Sequence, residues 1–310
     1  MKKEATTMKE KFIQLMSASV KGISQVVFIE NIFSGLLILA GILIYSIPLG
    51  LIAIGSAITG TLVASFGGAD KKVLSSGFFG FNSVLSGLAI YLFLEGPHKW
   101  IIALVCAGVT AIVTAALINI TKRFDTSVLT FPYIILTWFF IGTSFRLSFI
   151  KPGANILPQN LINWERELGG SLDWHGLIRG IGQIFFLDEM LPAVLFLLAI
   201  FIGSFRYGIY AIIGSAIGWL SALFLGGEIS LINLGLYNYN AVLTMIAVTS
   251  VLEVKHKNAW ITGIFASFLS VQITASLDTF LLQYGLPVLT MPFVLSTWLI
   301  QNARKVFPNI

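Results

Sequence analysis

Ten apolar runs separated by short polar stretches divide the chain into two series of five. The first series starts near Ile32, Pro48, Ser83, Trp100 and Phe131, and the second near Met190, Tyr207, Ala241, Ala259 and Val288. Several runs are too short to cross a hydrocarbon layer of ~30 Å as straight helices, and half-polar segments precede these at 20–31, 72–82, 180–189 and 228–240. Irregular backbone at membrane depth is tolerated only inside protein or beside water, so the pattern predicts bent spans or re-entrant half-helices.

The two series are copies of one unit, because three blocks recur in the same order. Residues 22–31 (GISQVVFIEN) align with 180–189 (GIGQIFFLDE), and 77–85 (GFFGFNSVL) align with 235–243 (GLYNYNAVL), both at an offset of 158. Residues 127–138 (SVLTFPYIILTW) align with 287–298 (PVLTMPFVLSTW) at an offset of 160. The repeated positions carry Gln, Phe, Asn and Thr-x-Pro, which a lipid-facing helix would not need.

Because each copy has an odd number of spans, five, the second copy enters the membrane from the opposite side. The two copies are then inverted repeats, which places a shared site near the midplane. The sequence therefore predicts an all-α polytopic membrane protein with two inverted repeats of five transmembrane helices, each with a re-entrant pore half-helix. We predict a cytoplasmic amphipathic segment at 1–21, since Met8, Phe12, Leu15, Met16 and Ser19 recur at helical spacing. The first repeat is predicted at 22–150, an external connector at 151–179 and the second repeat at 180–310.

Composition and charge agree with a membrane as the solvent. Hydrophobic residues make up 56% of the 310 residues and charged residues only 11%, too few to cover a soluble surface. With both termini in the cytoplasm, 14 of the 19 Lys and Arg fall inside and 5 outside, which favours that orientation in the cell membrane. The net charge of +5 forms no basic stripe, so no nucleic-acid partner is expected.

Gln25, Gln183, Thr130 and Thr290 are the repeated hydrogen-bonding side chains, and we interpret them as pore-lining. An uncharged amide at membrane depth must find a partner, and it can line a pore or join two helices. Each threonine lies two residues before a proline, which frees a backbone carbonyl. Its hydroxyl can face the same pore or bond back to its own helix.

Four aromatic residues at repeat-related positions, Phe28, Phe81, Phe186 and Tyr239, can form flat slots for a planar solute. Packing in the core or against lipid is the alternative in a chain with 25 phenylalanines. Leu85 and Leu243 would complete the slot walls. Neutral oxygens and rings can accept N–H groups from a polar solute while leaving a desolvated ion without compensation.

The three blocks, together with their second copies, resemble the urea transporter family over about residues 20–305. The resemblance implies passive, channel-like transport of urea and possible close amide analogues, in a homotrimer with one pore per protomer. It also implies half-helices that supply carbonyl oxygens, aromatic slots at both ends and threonines at the constriction. The pore residues carried over by position are Gln25, Phe28, Phe81, Leu85, Thr130, Gln183, Phe186, Tyr239, Leu243 and Thr290. Tyr239 departs from the family pattern, which has phenylalanine at that position.

Two other functional classes deserve comparison. A proton-coupled transporter of a small neutral amide could use Glu30, Asp188 and Glu189, because acids within membrane segments are candidates for coupling. The alternative role for these acids is capping or pairing at helix ends. An enzyme is not expected, because the three histidines are scattered and form neither a metal-ligand spacing nor a triad. No cofactor or metal is expected.

Overall fold

The chain is almost entirely helical over the residues that a computed structural model describes, 8–159, 169–252 and 259–308. The first half contains α1 (Met8–Gln25), α2 (Ile32–Tyr45), α3 (Ile47–Phe66), α4 (Lys71–Ser75), α5 (Gly80–Phe93), α6 (Lys99–Lys122) and α7 (Phe131–Ser144). The second contains α8 (Gly176–Gly182), α9 (Met190–Gly203), α10 (Phe205–Phe224), α11 (Ile229–Leu234), α12 (Asn238–Ile246), α13 (Ala259–Leu282) and α14 (Met291–Ala303). A 3₁₀ turn at Gln183–Phe185 continues α8, and a π-helical turn at Ala247–Val251 continues α12. The predicted all-α membrane fold is confirmed.

The helices repeat with the offsets of the sequence blocks. Both ends of α9 and of α10 lie 158 positions after the corresponding ends of α2 and α3, and α14 begins 160 positions after α7. The ten predicted runs begin within three residues of the observed helices. The four half-polar segments contain the ends of α1 and α8, all of α11 and all but the first residue of α4. The apolar runs and the half-polar segments therefore located both the apolar helices and the interruptions between them.

Apart from α1 and the short helices α4, α8 and α11, short and long helices alternate in each half. Among the described residues, α3, α6, α10 and α13 are long and apolar enough to cross a membrane, and α8 with its turn and α9 meet the same test as one pair bent by 75°. The apolar helices α2, α5 and α7 have 14 residues each, which corresponds to ~21 Å and falls short of the ~30 Å core. The turns before the short helices must therefore lie within the protein at membrane depth.

Side-chain caps fix where α2, α3 and α10 begin. The Asn31 side chain accepts a hydrogen bond from the Ser34 N–H at the start of α2. Ser46 caps α3 and Ser204 caps α10 in the same way, and these residues also separate α2 from α3 and α9 from α10. Such caps satisfy backbone N–H groups that a helix leaves unpaired at its first turn.

The two halves share one core, in which α2 packs against α9. The Ser34 hydroxyl donates to the Ala199 carbonyl across this contact at 2.8 Å. Glycines bring other helices close, and a Cβ at Gly22 of α1 would lie 2.9 Å from the Gly80 Cα of α5. Close backbone approach of this kind is typical of helices that associate in lipid.

The N-terminal segment is continuous with the first repeat. Helix α1 runs through residue 21 without a break, so the predicted boundary at 21/22 lies inside a helix. Its early apolar side chains are exposed, with Met8 at 88% and Phe12 at 63%, whereas Ile23 near its end is fully buried. Residues 1–7 lie outside the described residues. The amphipathic, cytoplasmic character of this segment stays a prediction.

The connector between the halves is held at both ends. Strand β1 (Leu94–Glu95) pairs antiparallel with β2 (Lys151–Pro152), which ties its start to the end of α5. Helix α8 begins at Gly176, so the last four connector residues already belong to the second repeat. Asp173 accepts hydrogen bonds from the backbone N–H of His175 and from Arg179, and these interactions hold the pKa of its carboxyl below the usual value. Residues 160–168 lie outside the described residues.

Candidate functional site

Thr130 and Thr290 meet in the buried interior of the protein. Their Oγ1 atoms are 2.6 Å apart, and both residues are almost fully buried. Each lies at the N-terminus of a short helix, α7 or α14, immediately before the first helical residue. The repeated Leu-Thr-x-Pro elements therefore converge on one point, where each half of the chain contributes one hydroxyl.

Two tryptophans, one in α7 and one in α14, each donate a hydrogen bond to the loop that precedes the other helix. The Trp138 indole N–H donates to the Pro287 carbonyl at 2.8 Å, and the Trp298 indole N–H donates to the Ser127 carbonyl at 2.7 Å. Both donors and both acceptors are related by the offset of 160. Reciprocal contacts of this kind are typical of two units related by a two-fold axis.

Gln25 and Gln183 support the turns that precede the short helices. The Gln25 amide donates to the Ser76 carbonyl at 3.1 Å, and the Gln183 amide donates to the Leu234 carbonyl at 3.0 Å. Each bond reaches from the end of α1 or α8 to the residue that precedes a left-handed glycine, Gly77 or Gly235. The two glutamines thus bridge segments as well as lining the cavities described next.

Two cavities flank the threonine pair. The first, which we name the Gln25 cavity, has a volume of about 560 Å³ and is lined by Gln25, Phe28, Phe81 and Thr130. The second, the Gln183 cavity, has a volume of about 440 Å³ and is lined by Gln183, Phe186, Tyr239 and Thr290. Eight of the ten predicted site residues line one cavity or the other, four from each half. Leu85 and Leu243 are fully buried and line neither of these two cavities.

Aromatic rings pack in edge-to-face pairs along both cavities. Phe81 packs against Phe78, with ring centroids 5.4 Å apart, in the Gln25 cavity. Phe186 packs against Phe93, at 6.0 Å, in the Gln183 cavity. Such contacts fix ring orientation, so each cavity presents flat apolar walls as well as amide, hydroxyl and carbonyl oxygens.

The backbone around the cavities is strained in repeat-related pairs. Phe28 and Phe186 have φ of 62° and 64°, and Leu129 and Leu289 have φ of 50° and 54°. Bulky residues rarely adopt this left-handed conformation, which costs about 1 to 3 kcal/mol each. All four residues line a cavity. Strain that is kept in both copies at the same surface makes the cavities the candidate functional site.

Comparisons with known proteins agree with this geometry. A family model described as "Urea transporter" matches residues 16–305. The chain belongs to the urea transporter family. It is 26% identical over 319 residues to proteins named urea transporter 1 from Ovis aries, Rattus norvegicus and Capra hircus, covering 100% of this chain and 83% of each relative. Membership makes the chain a membrane transport protein, and urea is the solute that the family name gives.

The three acids considered for proton coupling lie away from both cavities of this urea transporter family member. The Glu30 carboxylate is paired with Lys21 at 2.8 Å. Asp188 accepts a hydrogen bond from the Tyr45 hydroxyl at 3.4 Å, and Glu189 directly precedes α9. None of the three lines the Gln25 or the Gln183 cavity.

Some cavity residues were missed in the sequence interpretation. Asp278 of α13 lines the Gln183 cavity, and Lys122 and Asp125 line the Gln25 cavity. An acid inside an apolar helix is itself a signal that could have identified Asp278. Tyr133, which lines the Gln183 cavity, follows the proline of the repeated block. It was overlooked because its partner in the second copy is Phe293, so identity between the copies did not single it out.

Proposed function

We propose that the chain is a passive, channel-like path for urea through the membrane. The meeting of the two cavities at the Thr130–Thr290 hydrogen bond carries this proposal. Each hydroxyl belongs to a different cavity, so a solute that displaces this one contact passes from one cavity to the other. The Gln25 cavity, the threonine pair and the Gln183 cavity then form a single route.

The Thr130–Thr290 contact, which we call the junction, has a chemistry that suits a small neutral amide. Threonine hydroxyls and the strained Leu129 carbonyl beside them can accept N–H groups, and the aromatic rings match the flat faces of urea. The threonine pair itself carries no charge, so an ion that lost its hydration there would gain little in return. Similar weak sites on both sides of the junction favour rapid passage over trapping.

We propose that the halves are inverted in the cell membrane, with both termini in the cytoplasm. The reciprocal tryptophan contacts support a two-fold relation between the halves, and an odd number of spans in each half supports the inversion. The charge bias of the loops supports the cytoplasmic position of the termini. A homotrimer with one pore in each protomer follows from the family resemblance and belongs to the same proposal.

Passive and coupled transport predict different responses to a proton gradient. We expect urea uptake into proteoliposomes to be unchanged when a pH gradient is imposed, because the acids considered for coupling do not line the route. A triple variant, E30Q/D188N/E189Q, should retain urea permeability within about twofold of the unmodified protein, because none of the three acids lines a cavity and loss of the exposed Glu30–Lys21 ion pair costs only ~0–1 kcal/mol. Radiolabelled urea uptake measures both quantities.

Asp278 of α13 is tested in a separate variant, because this acid lines the Gln183 cavity. The D278N variant should show the same insensitivity to the pH gradient as the unmodified protein. Uptake that rises with an inward proton gradient, and loses that response in D278N or in the triple variant, would establish coupled transport and overturn the passive mechanism.

A further inference from the structure

The two cavities differ in hydroxyl groups although their scaffolds match. Tyr133 of the first half corresponds to Phe293 of the second, and Tyr239 of the second half corresponds to Phe81 of the first. Both tyrosines line the Gln183 cavity, whereas Phe81 lines the Gln25 cavity and Phe293 lines neither of the two. Both phenolic groups therefore lie on one side of the threonine pair.

This difference changes the hydrogen bonding of two strained backbone carbonyls, those of Leu129 and Leu289, which directly precede the threonines. The Leu289 carbonyl accepts two hydrogen bonds, from the Tyr239 hydroxyl at 2.6 Å and from the Asn240 amide at 3.3 Å. Its repeat partner, the Leu129 carbonyl, accepts only the bond from the Asn82 amide, at 3.2 Å, within the described part of the chain. A carbonyl oxygen has two lone pairs, so Leu129 keeps an acceptor site for a solute N–H while that of Leu289 is occupied.

Leu129 offers an open acceptor site, whereas Tyr133 offers a donor. Its hydroxyl oxygen accepts the Thr290 backbone N–H and the Thr290 hydroxyl, both at 3.1 Å. These bonds use both lone pairs, and the described residues offer no acceptor for its own proton. Tyr133 lines the Gln183 cavity but is fully buried while the two threonines are in contact. Its proton therefore becomes available to a solute that enters between the threonines.

The hydroxyls of Thr130, Thr290 and Tyr133 thus form a chain in which all hydrogen bonds point the same way. Thr290 donates to Tyr133, so in the contact between the threonines Thr130 donates to Thr290. The chain begins with oxygen lone pairs facing the Gln25 cavity and ends with a phenolic proton facing the Gln183 cavity. Hydrogen bonds aligned in this way strengthen one another.

We propose that Tyr133 is a specificity-determining residue that donates a hydrogen bond to the carbonyl oxygen of the solute, while Leu129 and Thr130 accept its N–H groups. This inference rests on the proposed urea path. It assigns to the junction a preferred solute class, in which a strong oxygen acceptor and N–H donors lie at opposite ends of a small molecule. Urea and simple amides belong to this class.

Thiourea tests the assignment, because its sulfur is a much weaker hydrogen-bond acceptor than the urea oxygen. Tyr133→Phe should lower the ratio of urea to thiourea permeability about fivefold in proteoliposomes, as expected for loss of one neutral hydrogen bond. Tyr239→Phe removes a hydroxyl from the same cavity without removing the proposed donor. It should leave this ratio within about twofold, whatever its effect on absolute rates.

An unchanged ratio in Tyr133→Phe, or an equal fall in both variants, would overturn the role of Tyr133. If Tyr133→Phe does not fold, the unmodified protein still gives an answer, because thiourea that permeates as fast as urea would also overturn it. Absence of urea permeability in the unmodified protein is a different outcome. It would remove the proposed urea path itself and not Tyr133 alone.

Discussion

Replacing both junction threonines with valine, in a T130V/T290V variant, is expected to reduce urea permeability at least about tenfold while the protein still folds. Valine keeps the shape of threonine but removes the hydroxyls that lie 2.6 Å apart between the cavities. A solute crossing a hydrocarbon junction would leave buried N–H groups without acceptors, at about 1 to 3 kcal/mol for each. Stopped-flow light scattering of proteoliposomes measures the loss.

The chain provides a matched control for this variant. Thr137 and Thr297 are repeat-related, fully buried and line neither cavity, and their hydroxyls have no hydrogen-bond partner among the described residues. A T137V/T297V variant removes the same number of buried hydroxyls from the same two helices. It should keep urea permeability within about twofold. Equal losses in the two double variants would show that the effect does not arise at the junction.

Changing Gly235 to alanine is expected to prevent assembly of the native fold. Its φ is +77°, and an added Cβ would lie 2.3 Å from the Gly180 nitrogen and 2.8 Å from the Gly176 carbonyl oxygen. Both contacts are with the backbone of α8, which cannot move without displacing Gln183 and the wall of its cavity. We expect little or no monodisperse protein in detergent, as judged by size-exclusion chromatography.

Gly226→Ala separates steric clash from backbone strain. Gly226 also has a positive φ, +73°, but a Cβ there would meet no atom of the described residues within 4 Å apart from its chain neighbours. That variant should cost only ~1–2 kcal/mol, the usual penalty of the left-handed conformation, and should yield folded protein with a slightly lower unfolding temperature. If Gly235→Ala were as well folded as Gly226→Ala, the close packing of this turn against α8 would be wrong.

The sequence predicted the helical framework closely because a bilayer imposes long apolar runs on any chain that crosses it. It also identified the four amide and hydroxyl residues at the cavities, since duplication acts as an internal comparison. A residue such as Gln25, kept as Gln183 among many changed apolar positions, is visible without any relatives. The same comparison cannot reveal a residue such as Tyr133, where the copies differ.

Backbone conformation was the part that the sequence could not supply. Left-handed φ values are expected at glycine, as at Gly77 and Gly235, but Phe28 and Leu129 adopt them without any such signal. Tertiary packing imposes these conformations, and they turn the adjacent groups toward the cavities. The buried positions of Leu85 and Leu243 likewise depend on packing that spacing alone does not specify, so their role as slot walls stays a prediction.

The central claim is that urea crosses the membrane through the two cavities by downhill permeation. Its most direct test is stopped-flow urea efflux from liposomes containing the purified, unmodified protein, measured over a wide range of urea gradients. We predict a flux well above that of protein-free liposomes, rising linearly with the gradient. A flux no greater than that of protein-free liposomes, or one that saturates like a carrier at low urea concentration, would contradict the claim.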